Sequence, residues 1–315
     1  MQVSAYLKIL RLPNLAIILL TQGLYRFCIV EPFYGFGASS PALSYFEFGL
    51  LMFSTILIAG GGYVINDIFD VKPDKINKPE KAIAGKIIGI KKLKIYYWAI
   101  SLTGIITGVW LAWHIGQVQL GLIFPIVSIM LWYYSSRYQK TVLTGNLLIS
   151  LMSGLVVLIV WLFEVFALIH DPVKYVDVMP QLKIVGWITL GYALFAFLLS
   201  LIREILKDIE DREGDQRQGY KTLVIRYGLR VAKRFTLVLQ MITIVLLAIA
   251  QYVLYVHDLT LVFWYLLIAV QMLMVYFIIQ TATAQSKDEF HFLSNAAKLI
   301  MVAGILSMQL IYISV

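Results

Sequence analysis

Charge is scarce in this sequence. Only 14% of its 315 residues are Asp, Glu, Lys or Arg and 60% are apolar, whereas a soluble domain carries about 25% charged residues. With a mean hydropathy of +0.82, that deficit excludes an ordinary soluble domain and points to a membrane protein. Cysteine is almost absent: Cys28 stands alone, which excludes an internal disulfide and suggests inert packing. The four histidines (His114, His170, His257 and His291) are scattered near the ends of apolar runs and give a zinc site little support. The opening residues, MQVSAYLKILRLPN, lack a small-residue cleavage site after a short apolar core. The first apolar run is therefore expected to stay as a span rather than leave as a signal peptide.

What is abundant is long apolar runs. About 20 apolar residues cross the hydrocarbon of a bilayer, and that rule gives nine candidates: 13–32, 43–65, 94–113, 118–134, 143–168, 182–205, 233–256, 259–281 and 294–314. The expected fold is all-α, a polytopic bundle of nine transmembrane helices forming one domain over 1–315. Short breaks such as WHIGQVQ and YVHDLT read as hairpin turns; longer polar stretches follow the second run (66–93) and the sixth (206–232). Gly60, Gly61 and Gly62 close the second run and suit close helix contact or a bend.

Basic residues fix the expected orientation. Two lie in the N-terminal segment, 8 in 66–94, 2 in 135–141, 9 in 203–234 and 2 in 283–298, so 23 of the 26 share one side if nine spans alternate. The N-terminus and both long polar segments are thus expected in the cytoplasm, with the C-terminus outside. Setting topology is also the plain explanation of the net charge of +8, and nucleic-acid binding is not expected.

Two acidic segments resist that plain account. YVINDIFDVKPDKINKP (63–79) carries Asn66, Asp67, Asp70 and Asp74; REILKDIEDREGDQRQGYKTL (203–223) carries Arg203, Glu204, Lys207, Asp208, Asp211 and Asp215. Steps of four place Asn66, Asp70 and Asp74 on one helical face, and steps of three and four do the same for Asp208, Asp211 and Asp215. Like charges so spaced repel unless a cation lies between them, and carboxylate and amide oxygens are the hard ligands magnesium prefers. The EF-hand loop spacing is absent. Both segments follow even-numbered spans and therefore emerge on one membrane face. Lys78 and Lys81, Lys140, and Arg203, Lys207 and Lys221 lie around them and could neutralise a diphosphate, although each also reads as a topological charge.

These residues resemble the UbiA superfamily of intramembrane prenyltransferases. NDIFDVKPD looks like its first NDxxDxxxD motif and DIEDREGD like its second; RLPNL, YSSRYQKTVLTGN and GYKTL are similar to its lesser signatures. The resemblance implies a nine-helix bundle around a central cavity, with Mg2+ joining the two motifs and holding an isoprenyl diphosphate whose tail lies in an apolar tunnel. Carried over, it makes Asn66, Asp70, Asp74, Asp208, Asp211 and Asp215 the metal ligands, with Asp70, Asp74, Asp208 and Asp211 catalytic and Asp67 ranked lower because it lies off the face. Arg11, Asn14, Lys78, Tyr134, Lys140, Arg203, Lys207 and Lys221 become candidates for substrate binding. Where many relatives that prenylate aromatic acids have Arg-Pro after the first motif, this chain has Lys78-Pro79, in INKP. That detail looks closer to the geranylgeranylglycerol-phosphate geranylgeranyltransferase branch.

The expected reaction is magnesium-dependent transfer of an isoprenyl group from an allylic polyprenyl diphosphate to a lipid-soluble acceptor inside the cell membrane, with a prenylglycerol phosphate as one candidate. An aromatic acceptor in quinone or heme side-chain synthesis is the alternative. Tyr133, Tyr134 and Phe69 are candidates for an aromatic wall facing the allylic cation, although helix aromatics more often serve plain packing. A cation transporter would need ionisable residues near the midplane of several spans, whereas Glu47 and Glu164 lie nearer the outer ends of theirs. A non-catalytic scaffold would leave the paired motifs unexplained.

Overall fold

The computed structural model describes residues 2–35, 42–72 and 83–314. Among these, nine helices are long and apolar enough to cross a membrane: α1 (Leu12–Gly35), α2 (Tyr45–Phe69), α3 (Ile90–His114), α4 (Val118–Ser136), α5 (Thr144–Leu168), α6 (Pro172–Glu210), α7 (Leu229–Val256), α8 (Thr260–Thr283) and α9 (Lys287–Ser314). Helices are what lipid demands, since each backbone polar group must find a partner within its own segment. No β-strand forms among the described residues beyond an isolated bridge between Ala84 and Ile88. The chain is an integral membrane protein.

Local signals set the ends. Ser44 and Glu47 form a reciprocal capping box at the start of α2, and Pro172 opens α6 after the Asp171 cap, a position where its missing N–H costs nothing. Two helices run further than apolarity alone suggests. α2 continues to Phe69 and α6, 39 residues long, to Glu210, so both acidic motifs begin in a last helical turn rather than in a loop.

Small residues bring α2 and α3 together. A side chain on Gly61 would collide with the Ser101 hydroxyl, and Ser54 Oγ donates to the Gly104 carbonyl at 2.6 Å. The glycine triplet therefore serves contact, and α2 is helical through it. α1 packs on α2, α5 and α9, while α6 packs on α5, α7 and α9. Together α1, α2, α4, α5, α6 and α9 enclose a cavity of about 270 Å3.

One ion pair is buried at the end of the bundle away from the acidic motifs. Arg26 Nε lies 2.9 Å from Glu164 Oε1, and both side chains are excluded from solvent. Arg26 also donates to the Leu43 carbonyl at 2.8 Å, and Glu164 Oε2 accepts from the Ala42 and Leu43 N–H groups. α1, α5 and the chain entering α2 are clamped together there, which accounts for Glu164 without ion transport.

Candidate active site

Both acidic motifs straddle a helix C-terminus. Asp70 follows the last turn of α2 and Asp211 that of α6; Asp215 lies in a short helix, Arg212–Arg217, and is buried. The C-terminal end of a helix carries partial negative charge, so carboxylates there are doubly unfavourable until a cation arrives.

In the first motif, Asn66 Nδ2 donates to Asp70 Oδ2 at 2.9 Å and to Gln139 Oε1 at 3.0 Å, and Gln139 Nε2 donates to Asp70 Oδ2 at 2.9 Å. In the second, Asn146 Nδ2 donates to Asp208 Oδ2 at 2.9 Å. The α4–α5 connection supplies both outside amides. Gly145 permits this, because a Cβ there would stand 2.6 Å from the Tyr138 carbonyl oxygen, so the turn Tyr138–Lys140 can lie against the start of α5.

Arg11 has a left-handed backbone, φ 53°, at the junction before α1, a strained conformation for a non-glycine residue. Its guanidinium donates to Asp67 Oδ1 at 2.8 Å and to Asn66 Oδ1 at 3.4 Å, over the Tyr63 ring. Burial lowers its proton affinity, but Asp67, with Tyr63 and Asp70, offsets this and raises it above the ordinary arginine value. Asp67, off the face of the other acids, is thus the partner of Arg11.

Of the residues expected from sequence, Arg11, Asn14, Asn66, Tyr134, Arg203 and Lys207 line the cavity. Tyr134 lies within electrostatic reach of Asp70, Asp208 and Glu204, between the two motifs. Lys140 places its ammonium 5.4 Å from the centre of the Tyr220 ring, and its carbonyl accepts from the backbone N–H of Lys221 at 2.9 Å. Phe69 and Tyr133 are a correction: neither lines the cavity. Both are largely exposed and pack on Trp132, Tyr133 also on Tyr138, since neighbouring positions on α4 point in different directions. Asp74, Lys78 and Lys81 lie outside the described residues.

The family model described as the UbiA prenyltransferase family matches residues 33–296. The chain belongs to this family. It is similar to the digeranylgeranylglyceryl phosphate synthase of Methanosphaera stadtmanae, with 30% identity over 251 residues covering 80% of this chain and 82% of the relative. A solved digeranylgeranylglyceryl phosphate synthase structure superposes with a TM-score of 0.64 at 21% identity, covering 100% of this chain and 99% of that one. A UbiA homolog from Archaeoglobus fulgidus bound to GPP and Mg2+ gives 0.56 at 16%, covering 96% and 99%. As a member of the family, the chain is a membrane prenyltransferase.

Sequence reasoning passed over three site residues, Gln139, Asn146 and Lys298, and gave Glu204 no role. Gln139 and Asn146 are neutral amides inside quoted signatures; Glu204 and Lys298 read as ordinary charges but line the cavity. Among the described residues, no three carboxylate, imidazole or thiol groups converge tightly enough to hold a metal by themselves. Instead there are two half-sites made wholly of oxygen donors, each held by amides. That donor set fits magnesium, which completes its shell with water and substrate phosphate.

Proposed function

We propose that the chain transfers an isoprenyl group from an allylic polyprenyl diphosphate to a prenylglycerol phosphate, with Mg2+ as cofactor. The observation that carries this reading is that Asp70 and Asp208, one from each oxygen-donor half-site, lie within electrostatic reach of the cavity-lining Tyr134, beside a cavity whose wall turns apolar over about two to three helical turns, from Asn66 to Ala59 and Ile58 on α2 and from Lys207 to Ala196 and Phe195 on α6. Asn66, Asp70 and Asp74 with Asp208, Asp211 and Asp215 would hold the metal. When bound, it would neutralise the diphosphate so that the allylic carbon–oxygen bond can ionise.

The protein's own groups do the rest. Lys140, Lys207, Lys221 and Lys78 balance charge on the departing diphosphate. Arg11, fixed by Asp67, orients Asn66. Tyr134 presents a ring between the motifs, where an allylic cation gains from an aromatic face, and the apolar wall excludes water that would quench it. The acceptor hydroxyl then bonds to the allylic carbon and gives up its proton. The name of the Methanosphaera stadtmanae relative supports the glycerol-phosphate acceptor, as does Lys78-Pro79. The chain works as one prenyltransferase unit over 1–315 in the cell membrane. The one-sided lysines and arginines support a cytoplasmic N-terminus and active-site mouth and an outer C-terminus.

The test is a matrix of allylic diphosphates against lipid and aromatic acceptors, with products identified by mass. Product with a prenylglycerol phosphate that stops on adding EDTA is expected; product with aromatic acids alone, or EDTA-insensitive turnover, overturns the reading.

A further inference from the structure

Lys298 is misplaced for a topological charge. Counted by sequence it joins the basic residues of the loop before the last span, yet α9 begins at Lys287. It therefore lies about 16 Å along the helix, at 1.5 Å per residue. Met301 and Ile305 continue the same cavity-facing stripe. A lysine at that depth is costly without an anion. Its nearby carboxylate, Glu204, is already engaged by Arg203 and, at 3.8 Å, by Lys207. Among the described residues Lys298 makes no ion pair of its own.

Position separates this group from the acidic motifs. Arg203 is five residues further into the membrane than Asp208 on α6, about 7 Å, and Lys298 approaches from α9, which carries no part of either motif. Lysines nearer the mouth, Lys140 and Lys221, remain for the diphosphate. Three cations facing one carboxylate leave an excess of two positive charges, and a phosphate monoester carries about −1.5 to −2 at neutral pH. We propose that Arg203, Lys207 and Lys298 form a metal-free subsite for the phosphate monoester of the acceptor lipid, with Lys207 standing between it and the donor's diphosphate. This rests on the glycerol-phosphate reading above. It makes Lys298 a specificity residue: the acceptor must bring a phosphate to settle the charge in the wall.

The experiment compares wild type, Lys298→Met and Lys298→Arg in lipid nanodiscs. Equilibrium binding of a geranylgeranylglycerol phosphate is measured in EDTA, without donor, and steady-state turnover is measured against both substrates. Wild type should bind the phosphorylated lipid in EDTA and bind the matching unphosphorylated alcohol more weakly. Lys298→Met should weaken binding of the phosphorylated lipid and raise its KM by about tenfold to a hundredfold, with the donor KM within about twofold. Discrimination against the alcohol should shrink, and Lys298→Arg should restore most of it. If Lys298→Met raises the donor KM equally, or leaves acceptor binding unchanged, the subsite is wrong while the acceptor reading stands. If wild type prenylates only aromatic acids, both fall together.

Discussion

Asp70 and Asp211 end their helices with the same backbone. Their φ,ψ values are −87°,8° and −89°,4°, and each N–H donates to the carbonyl four residues back, Asn66 at 2.9 Å and Lys207 at 2.8 Å. The two motifs are therefore one local design used twice: a carboxylate at the negative end of a helix, with a second acid three residues before it. The difference lies in the residue four before, an amide in α2 and a lysine in α6. One half-site thus leans towards holding a cation and the other carries its own counter-charge towards the substrate.

Neutralising either half-site should separate activity from stability. Asp70→Asn or Asp208→Asn removes a charge that a helix C-terminus disfavours, so the melting temperature in detergent should match wild type or exceed it. Diphosphate release should nevertheless fall by about a hundredfold or more, because the charge on the leaving group goes unmet. Near-normal turnover in both variants would sink the role of these acids.

Gln139 should act as a positioning residue for the same carboxylate. It both receives from Asn66 and donates to Asp70, so Gln139→Ala removes one of the two amides that hold Asp70 Oδ2 and one of the contacts that orient Asn66. Partners that orient metal-binding carboxylates are worth about 10–100-fold in metal affinity. The Mg2+ concentration giving half-maximal rate should rise by such a factor, with kcat at saturating Mg2+ largely recovered. A kcat loss that Mg2+ does not rescue would contradict this role.

Much of this was legible in the sequence because hydropathy and charge spacing are one-dimensional signals. Among the described residues the nine apolar runs became nine membrane-length helices, and acids at steps of three and four marked both motifs. What escaped depends on helix register and on depth. Lys298 reads as a loop charge because apolarity cannot tell that α9 starts before its first greasy residue. Tyr133 and Tyr134 are adjacent in sequence, yet only Tyr134 reaches the cavity, since a residue turns about 100° from the next around a helix. Gln139 and Asn146 carry no charge and so leave no mark until the α4–α5 turn folds them onto the carboxylates.

The Arg26–Glu164 pair should hold together the end of the bundle away from the acidic motifs while leaving chemistry alone. Arg26→Met would strand a carboxylate that is wholly buried, at a cost of about 3–5 kcal/mol. The expected outcome is a large drop in melting temperature in detergent, with turnover per folded molecule close to wild type at low temperature. An unchanged melting temperature would show that the pair contributes nothing.

Donor chain length should respond in opposite directions to two substitutions at one contact. Phe124 lines the cavity and its ring lies directly against Gly108 of α3, where an added Cβ would stand 2.4 Å from it. Gly108→Ala must therefore push the ring towards the cavity, since packed interiors have no slack to absorb a methyl group. Phe124→Ala instead opens the wall towards Phe163, on which the ring is packed edge-on at 5.8 Å between centroids. With donors of two, three, four and five isoprene units in competition, Gly108→Ala should shift products towards shorter chains and Phe124→Ala towards longer ones, as read by mass. Shifts in the same direction, or none, would mean that the isoprenyl tail does not pass this contact.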